Sequence, residues 1–187
     1  MAKRMKKFLI IGNANAITYK DVFPHITSGE VFLITKDGVS NFAMLFKTPD
    51  GGIKAVWALW YTNLDSRRLY KELNLTKEYN PEEYPKYENY DAIEVGRIKD
   101  IPYDYDGVMG VPISIVLFSP YQFEIIGCPD ADVLPEGWNG MSKEFANLYY
   151  AQGNTGQCQE GNRLAHYISK DGKAKIPYKR ILIRRKI

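Results

Sequence analysis

Lys6-Lys7-Phe8-Leu9-Ile10-Ile11-Gly12-Asn13-Ala14-Asn15-Ala16-Ile17-Thr18-Tyr19-Lys20 is the stretch on which the reading of this 187-residue chain turns. Two lysines precede four consecutive apolar residues, and Gly12-Asn13 ends the run. A short apolar run bounded by a turn predicts a strand buried on both faces, as in a parallel sheet covered by helices. Beyond it Tyr19, Val22, Phe23 and Ile26 fall at i, i+3, i+4 and i+7, one amphipathic helical face. Thr18 and Asp21 sit in capping-box-like positions, and Pro24 should kink or end the helix.

Three apolar and aromatic segments follow: Val31 to Ile34, Phe42 to Phe46 and Ala55 to Thr62. Lys36-Asp37-Gly38 and Pro49-Asp50-Gly51-Gly52 punctuate them, which predicts adjacent antiparallel strands joined by turns. A strand and helix followed by hairpins gives an α/β fold, a parallel sheet finishing with an antiparallel edge. The texture changes from Asp65. Ser66 to Leu75 reads as a short helix, and a tyrosine-rich loop interrupted by Pro81 and Pro85 follows it. Ile113 to Phe118, Phe123 to Ile126 and Arg180 to Arg185 read as strands, Gly107 to Gly110 as a turn, and Ser142 to Gln152 as a helix stopped by Gly153.

Composition narrows the class. With 45% hydrophobic and 13% aromatic residues and two cysteines, the chain is no disordered tail, disulfide scaffold or fibre. Cys128 and Cys158 read as buried or incidental thiols in a reducing compartment. No run approaches the roughly 20 apolar residues of a membrane helix. The basic start followed by Ala14-Asn15-Ala16 imitates a signal peptide, but its four-residue apolar core is too short, so a cytoplasmic protein is expected. His25 and His166 are the only histidines, and no H-E-x-x-H, metal spacing or G-x-S-x-G elbow occurs. Net charge is only +3, yet residues 77–136 hold 13 acidic and 4 basic side chains while residues 163–187 hold 9 basic and 1 acidic. That asymmetry fits a C-terminal segment meeting a polyanion, or a solvated basic tail.

Four segments resemble one family. Phe8 to Lys20, Trp60-Tyr61-Thr62-Asn63-Leu64-Asp65, Tyr84-Pro85-Lys86-Tyr87-Glu88-Asn89-Tyr90-Asp91-Ala92-Ile93-Glu94-Val95 and Asp100-Ile101-Pro102-Tyr103-Asp104-Tyr105-Asp106-Gly107-Val108-Met109-Gly110-Val111-Pro112 resemble, in order, the EcoRI-type adenine-specific DNA methyltransferases. Gln122 to Gly127 and Arg180 to Arg185 strengthen the match. The resemblance implies methyl transfer from S-adenosylmethionine to the N6 of a flipped adenine in double-stranded DNA, within a restriction-modification system, on a seven-stranded α/β core. The family's Asn-Pro-Pro-Phe motif and glycine-rich cofactor loop are missing from these residues. Both precede the segment matching Phe8, so the chain looks like a C-terminal half, inactive and without cofactor alone, whose N-terminal half is encoded upstream. The alternative is a noncatalytic DNA-binding module that keeps only the recognition half.

On this mapping residues 1–65 are the remainder of the methyltransferase core, with its last strands and antiparallel edge hairpin, and residues 66–187 are the target-recognition region. Asn13 and Asn15, at the C-terminal end of the first strand, are pocket-lining candidates or turn-capping residues. Arg67, Arg68, Lys71, Lys175, Lys179, Arg180, Arg184 and Arg185 are the candidates for DNA contact, arginine for guanine edges and lysine mostly for phosphate. No metal is expected. Trp57, Trp60 and the tyrosines are expected in the core rather than as base-stacking platforms.

Overall fold

The computed structural model describes residues 6–35, 43–66, 70–118 and 121–186. They form a mixed α/β chain with several sheets and two compact units, Met1–Glu72 with Val116–Ser119 and Leu73–Ile115 with Pro120–Ile187.

In the first unit a ten-residue strand organises everything. This is β4 (Ile53–Thr62), and β1 (Leu9–Asn13) pairs antiparallel along one side of it, Leu9 opposite Thr62 and Asn13 opposite Ala58. β2 (Phe32–Ile34) and β3 (Ala43–Lys47) also pair antiparallel with β4, Ile34 opposite Trp60 and Ala43 opposite Trp57. The predicted hairpins therefore resolve as strands that share one partner instead of a simple meander. β1 and β2, each antiparallel to β4, run in the same direction. Ala14, Ile17, Phe23, Leu33, Leu59 and Tyr61 are the buried side chains here. Gly12 has to be glycine, because a Cβ there would lie 2.7 Å from the Tyr61 ring.

Two expectations for this unit need correction. Leu9, Ile10 and Ile11 were expected to be buried in a parallel sheet, yet they are 51%, 56% and 48% exposed, and their paired strand is antiparallel. β1 is an edge: among the described residues no strand pairs with its outer side. The helix is shorter and later than expected. Residues Ala14–Thr18 form a 3-10 turn, and α1 (Phe23–Thr27) follows without a side-chain N-cap. Pro24 sits in its first turn, where a missing N–H removes no helical bond, so it starts the helix rather than breaking it. Trp57 is a further correction, being 55% exposed because β1 stops opposite Ala58 and, among the described residues, Trp57 has a paired strand on one side only.

In the second unit β10 (Arg180–Arg185) is the central strand, antiparallel to both β6 (Val108–Pro112) and β7 (Phe123–Gly127). β5 (Ala92–Glu94) adds a parallel edge on β6, Glu94 opposite Gly110. Ile181, Leu182 and Ile183 are fully buried, which is how a strand framed by arginines holds its place. Gly107 to Gly110, expected as a turn, lies largely within β6. Ile113 to Phe118, expected as a strand, is a 3-10 helix over Ile113–Leu117. β10 begins opposite Pro112, so Ile113 to Leu117 has no continuation of β10 to pair with.

α2 (Lys143–Ala151) forms as expected, with Ser142 Oγ accepting from the Phe145 N–H at 3.1 Å and Gly153 at φ +81° after its end. Met141, Phe145, Ala146, Cys158 and Ala174 make a small core around it. β8 (Tyr167–Ile168) and β9 (Ala174–Lys175) form a separate short hairpin. The expected helix over Ser66 to Leu75 is not found in its described part. Residues 67–69 lie outside the described residues, and Tyr70 to Leu75 is non-helical, with one bridge from Lys71 to Phe118. Among the described residues no helix is long and apolar enough to cross a membrane.

Candidate nucleic-acid interface

The basic strand β10 begins with a residue that is not free to contact a ligand. Arg180 donates to Glu94 from Nη2 at 2.6 Å and from Nε to both carboxylate oxygens at 3.0 and 3.1 Å. The two side chains are 11% and 5% exposed. The Tyr87 hydroxyl donates to the same carboxylate at 2.5 Å, and Arg180 Nη1 donates to the carbonyls of Tyr178 and Lys179. Burial and then the Glu94 charge push the Tyr87 phenol well above its ordinary value. Burial works against the Arg180 charge, but hydrogen bonding and attraction to Glu94 outweigh it and raise its value. A buried guanidinium engaged in this way has few donors left for a guanine edge. Arg180 is therefore withdrawn from the DNA-contact candidates.

Its strand-mates differ. Arg184 donates to Glu124 at 2.8 Å, both about half-exposed, and Arg185 lies 4.0 Å from Asp106. Such exposed pairs hold little energy and open readily toward a phosphate. Lys179 is half-buried, and its charge opposes the upward push that burial gives the Asp130 carboxyl. Lys175 is exposed on β9, and Lys71 is exposed near the start of the extended segment. Arg67 and Arg68 lie outside the described residues.

Two lysines absent from the sequence-derived candidates stand beside Lys175. Lys170 and Lys173 flank the β8–β9 turn, and their side chains are 71% and 63% exposed. Lys173 holds Asp171 at 2.8 Å, and with Ser169 it draws that carboxyl down to about 2. The signal for them was Ser169-Lys170-Asp171-Gly172-Lys173, a turn sequence between short apolar segments. The hairpin thus carries three exposed lysines within six residues, from Lys170 to Lys175.

At the C-terminal end of β1, Asn13 caps the 3-10 turn, its Oδ1 accepting from the Asn15 N–H at 2.8 Å. The Tyr61 hydroxyl donates to the Asn13 carbonyl at 2.8 Å. Asn13 is exposed and Asn15 is half-buried. The capping role is the one this geometry displays. In the second unit Asn89 is buried, with Nδ2 donating to the carbonyls of Asn139 and Leu164 at 3.1 and 3.2 Å, while its Oδ1 meets no donor. Among the described residues no group of three His, Cys, Asp or Glu side chains is placed to hold a metal ion.

Comparison with known proteins carries the identification further. Residues 1–186 match the family described as adenine-specific methyltransferase EcoRI. The type II methyltransferase M.EcoRI of Escherichia coli is 46% identical over 143 residues, covering 67% of this chain and 44% of that protein. M.MpnI of Mycoplasma pneumoniae is 32% identical over 150 residues, covering 68% of this chain and 46% of that protein. M.MgeORF184P of Mycoplasma genitalium is 32% identical over 141 residues, covering 66% and 44%. The chain thus spans less than half the length of the curated relatives it matches. No solved structure matches it. With a family match running the length of the sequence, the chain belongs to the EcoRI adenine-specific methyltransferase family.

Proposed function

We propose that this chain supplies the last strands of the catalytic sheet and the DNA-facing region of a site-specific N6-adenine methyltransferase that uses S-adenosylmethionine in a type II restriction-modification system. The observation that carries the reading is the strand order of the first unit. β4 is inserted antiparallel between β1 and β2, which run in the same direction. This is the arrangement expected of the fifth, seventh and sixth strands of a seven-stranded methyltransferase sheet. Residues 1–65 then belong to that core, and residues 66–187 recognise the target.

On this reading the chemistry divides between two parts. S-adenosylmethionine supplies the methyl group. An amine is a poor nucleophile, so its protons need acceptors; the Asn-Pro-Pro-Phe motif that provides them in the family is missing from these 187 residues. What the chain offers is a wall and a grip. Asn13 and Asn15 stand at the end of β1, on the side where open α/β sheets place ligands. Lys175, with Lys170 and Lys173, presents cations to phosphate, and Arg184 and Arg185 can exchange their exposed partners for it.

The test is transfer of tritiated methyl groups to an adenine-containing duplex. The 187-residue chain alone should incorporate none, and the chain combined with the complementary portion of the Escherichia coli relative should incorporate methyl at N6. Clear incorporation by the chain alone, free of host methylase, would overturn the division of labour. Duplex binding without methyl transfer by the combination would favour the noncatalytic DNA-binding module.

A further inference from the structure

The segment that leaves α2, Gln152 to Asn162, holds five carboxamide side chains and three glycines but a single charge, in a chain whose residues are 25% charged. The amides divide by what they do. Gln152 closes α2 as its C-cap, and Asn154 Nδ2 donates to the Tyr149 carbonyl at 3.0 Å, fastening the segment to the helix. Asn162 works from the other end. Its Nδ2 donates to the Gln157 carbonyl at 3.4 Å, its N–H donates to the Gln159 carbonyl at 3.0 Å, and its Oδ1 accepts from the Leu164 N–H at 2.9 Å. Gln157 and Gln159 are exposed, and among the described residues neither side-chain amide meets a hydrogen-bond partner.

The backbone that carries these two glutamines is pinned. Cys158 between them is fully buried, its N–H donating to the Tyr150 hydroxyl at 3.0 Å and its Sγ lying 3.1 Å from Met141 Sδ. Cys158 shares its small core with Ala174 of β9. Lys173 and Lys175 flank Ala174 as the glutamines flank Cys158, and all four are exposed. Two free amides and two cations therefore stand on segments rooted in one core. Fixing that backbone in advance lowers the ordering cost of a later contact.

We infer that Gln157 and Gln159 are specificity-determining residues that read the major-groove edge of adenine in the stacked duplex, an adenine distinct from the flipped base that receives the methyl group. The inference rests on the preceding reading of residues 66–187 as the part that meets the target. Chemistry selects the base. A carboxamide sets a donor beside an acceptor, and adenine alone offers the matching N7 acceptor and N6 donor on one base; guanine shows two acceptors there. Chemistry also separates the glutamines from the lysines. A neutral amide releases no counterion from a phosphate, so it adds little to sequence-independent affinity, whereas a lysine meets phosphate without telling one sequence from another.

The experiment exposes the purified 187-residue chain to a library of duplexes randomised over a short window, then recovers and sequences those it binds. Enrichment of adenine at one or more positions is expected. In a variant carrying Gln157→Ala and Gln159→Ala that enrichment should fall about tenfold, with affinity for unrelated duplexes and the slope of log affinity against log salt unchanged. Circular dichroism checks that the variant folds. A second measurement replaces the enriched adenine by 7-deazaadenine, which still pairs with thymine but lacks the N7 acceptor. The native chain should lose about as much affinity as the variant did, and the variant should not respond to the replacement; a merely structural role for the loop would instead lower affinity for every duplex. No enriched position in the native chain, the same preferences in the variant, a uniform loss with a reduced salt slope, or an equal 7-deazaadenine penalty in both proteins would each overturn the inference. The two readings fail differently. Sequence preference indifferent to the glutamines would sink this inference and leave the chain a DNA-recognition part, whereas absence of binding to any duplex would sink the functional reading and this inference with it.

Discussion

At the scale of single residues, the buried group around Glu94 holds the second unit together by satisfying a charge. Removing one partner of a buried pair strands the other, at a cost of about 3–5 kcal/mol. Glu94→Gln should therefore lower stability by that order in denaturant unfolding, and Arg180→Ala should also act through folding, without a specific loss of DNA affinity. Next to them Gly110 has a steric reason to be glycine, since a Cβ there would fall on the Tyr87 hydroxyl, itself held by Glu94. Gly110→Ala should cost about 1–3 kcal/mol by overpacking. Gly96→Ala, with nothing within 4 Å of its added Cβ, should be near neutral. Unfolding midpoints of the two variants, measured side by side, decide this; equal values would show that Tyr87 can move aside. Half of the pair was legible: Glu94 breaks an apolar stretch, Ala92-Ile93-Glu94-Val95, and a charge in such a run asks for a partner. That the partner is Arg180, 86 residues away, depends on β6 joining β5 to β10, and no local pattern encodes that.

At the scale of elements, sequence periodicity found what is decided locally. β10 and α2 lie where the apolar spacing, the Ser142 cap and the Gly153 stop placed them, because these signals are read by the residues that carry them. It missed what a neighbour decides. Gly107 to Gly110 reads as a turn until Tyr87 and β10 press against it, and Ile113 to Leu117 reads as a strand until β10 is seen to begin at Arg180. The candidate DNA contacts divide in the same way. A run of cations is legible, but which of them already has an internal anion is not. The β8–β9 hairpin is the element left with exposed lysines. Changing Lys170, Lys173 and Lys175 together to Gln should weaken binding to all duplexes alike and reduce the slope of log affinity against log salt by up to about 0.9 for each phosphate no longer neutralised. An Arg184→Gln variant removes one cation instead of three and should change the slope by at most about 0.9. Fluorescence titrations at several salt concentrations measure both, and an unchanged slope in the triple variant would place the phosphate-binding cations elsewhere. His166 sets a separate pH dependence for this unit. Burial holds its imidazole below the ordinary value of 6.5, so the unfolded chain takes up the proton first as pH falls. The contribution of His166 to stability is complete above that pH and lost below it. The melting temperature should decline on acidification through pH 6.5, and His166→Gln should flatten that decline.

At the scale of the whole molecule, the two units bury their apolar residues very unequally. The second has a strand whose Ile181, Leu182 and Ile183 are fully buried, with Met109 and Val111 beside it. The first exposes about half of each of Leu9, Ile10 and Ile11 and much of Trp57 and Phe46. Apolar burial stabilises by roughly 25 cal/mol per Å², so a strand left half-uncovered forfeits much of what would hold it. Its amides are also less shielded from water, because among the described residues only one side of β1 is paired. Local opening follows these differences, since segments with little buried apolar surface open at a fraction of the global free energy. Hydrogen exchange of the native chain should therefore protect the amides of β10 most and those of β1 least, with β4 between them. The same exposure makes association expected, so the thermal midpoint of the isolated chain should depend on protein concentration. Both measurements bear on one cause, and the complementary portion of the relative separates them from mere fraying. Adding it should slow exchange at Leu9 to Asn13 and abolish the concentration dependence, while the exchange rates of Ile181 to Ile183 stay as they were. Equal protection of β1 and β10 in the chain alone, with a midpoint independent of concentration, would mean that the first unit is complete as it stands and that its open face needs no partner.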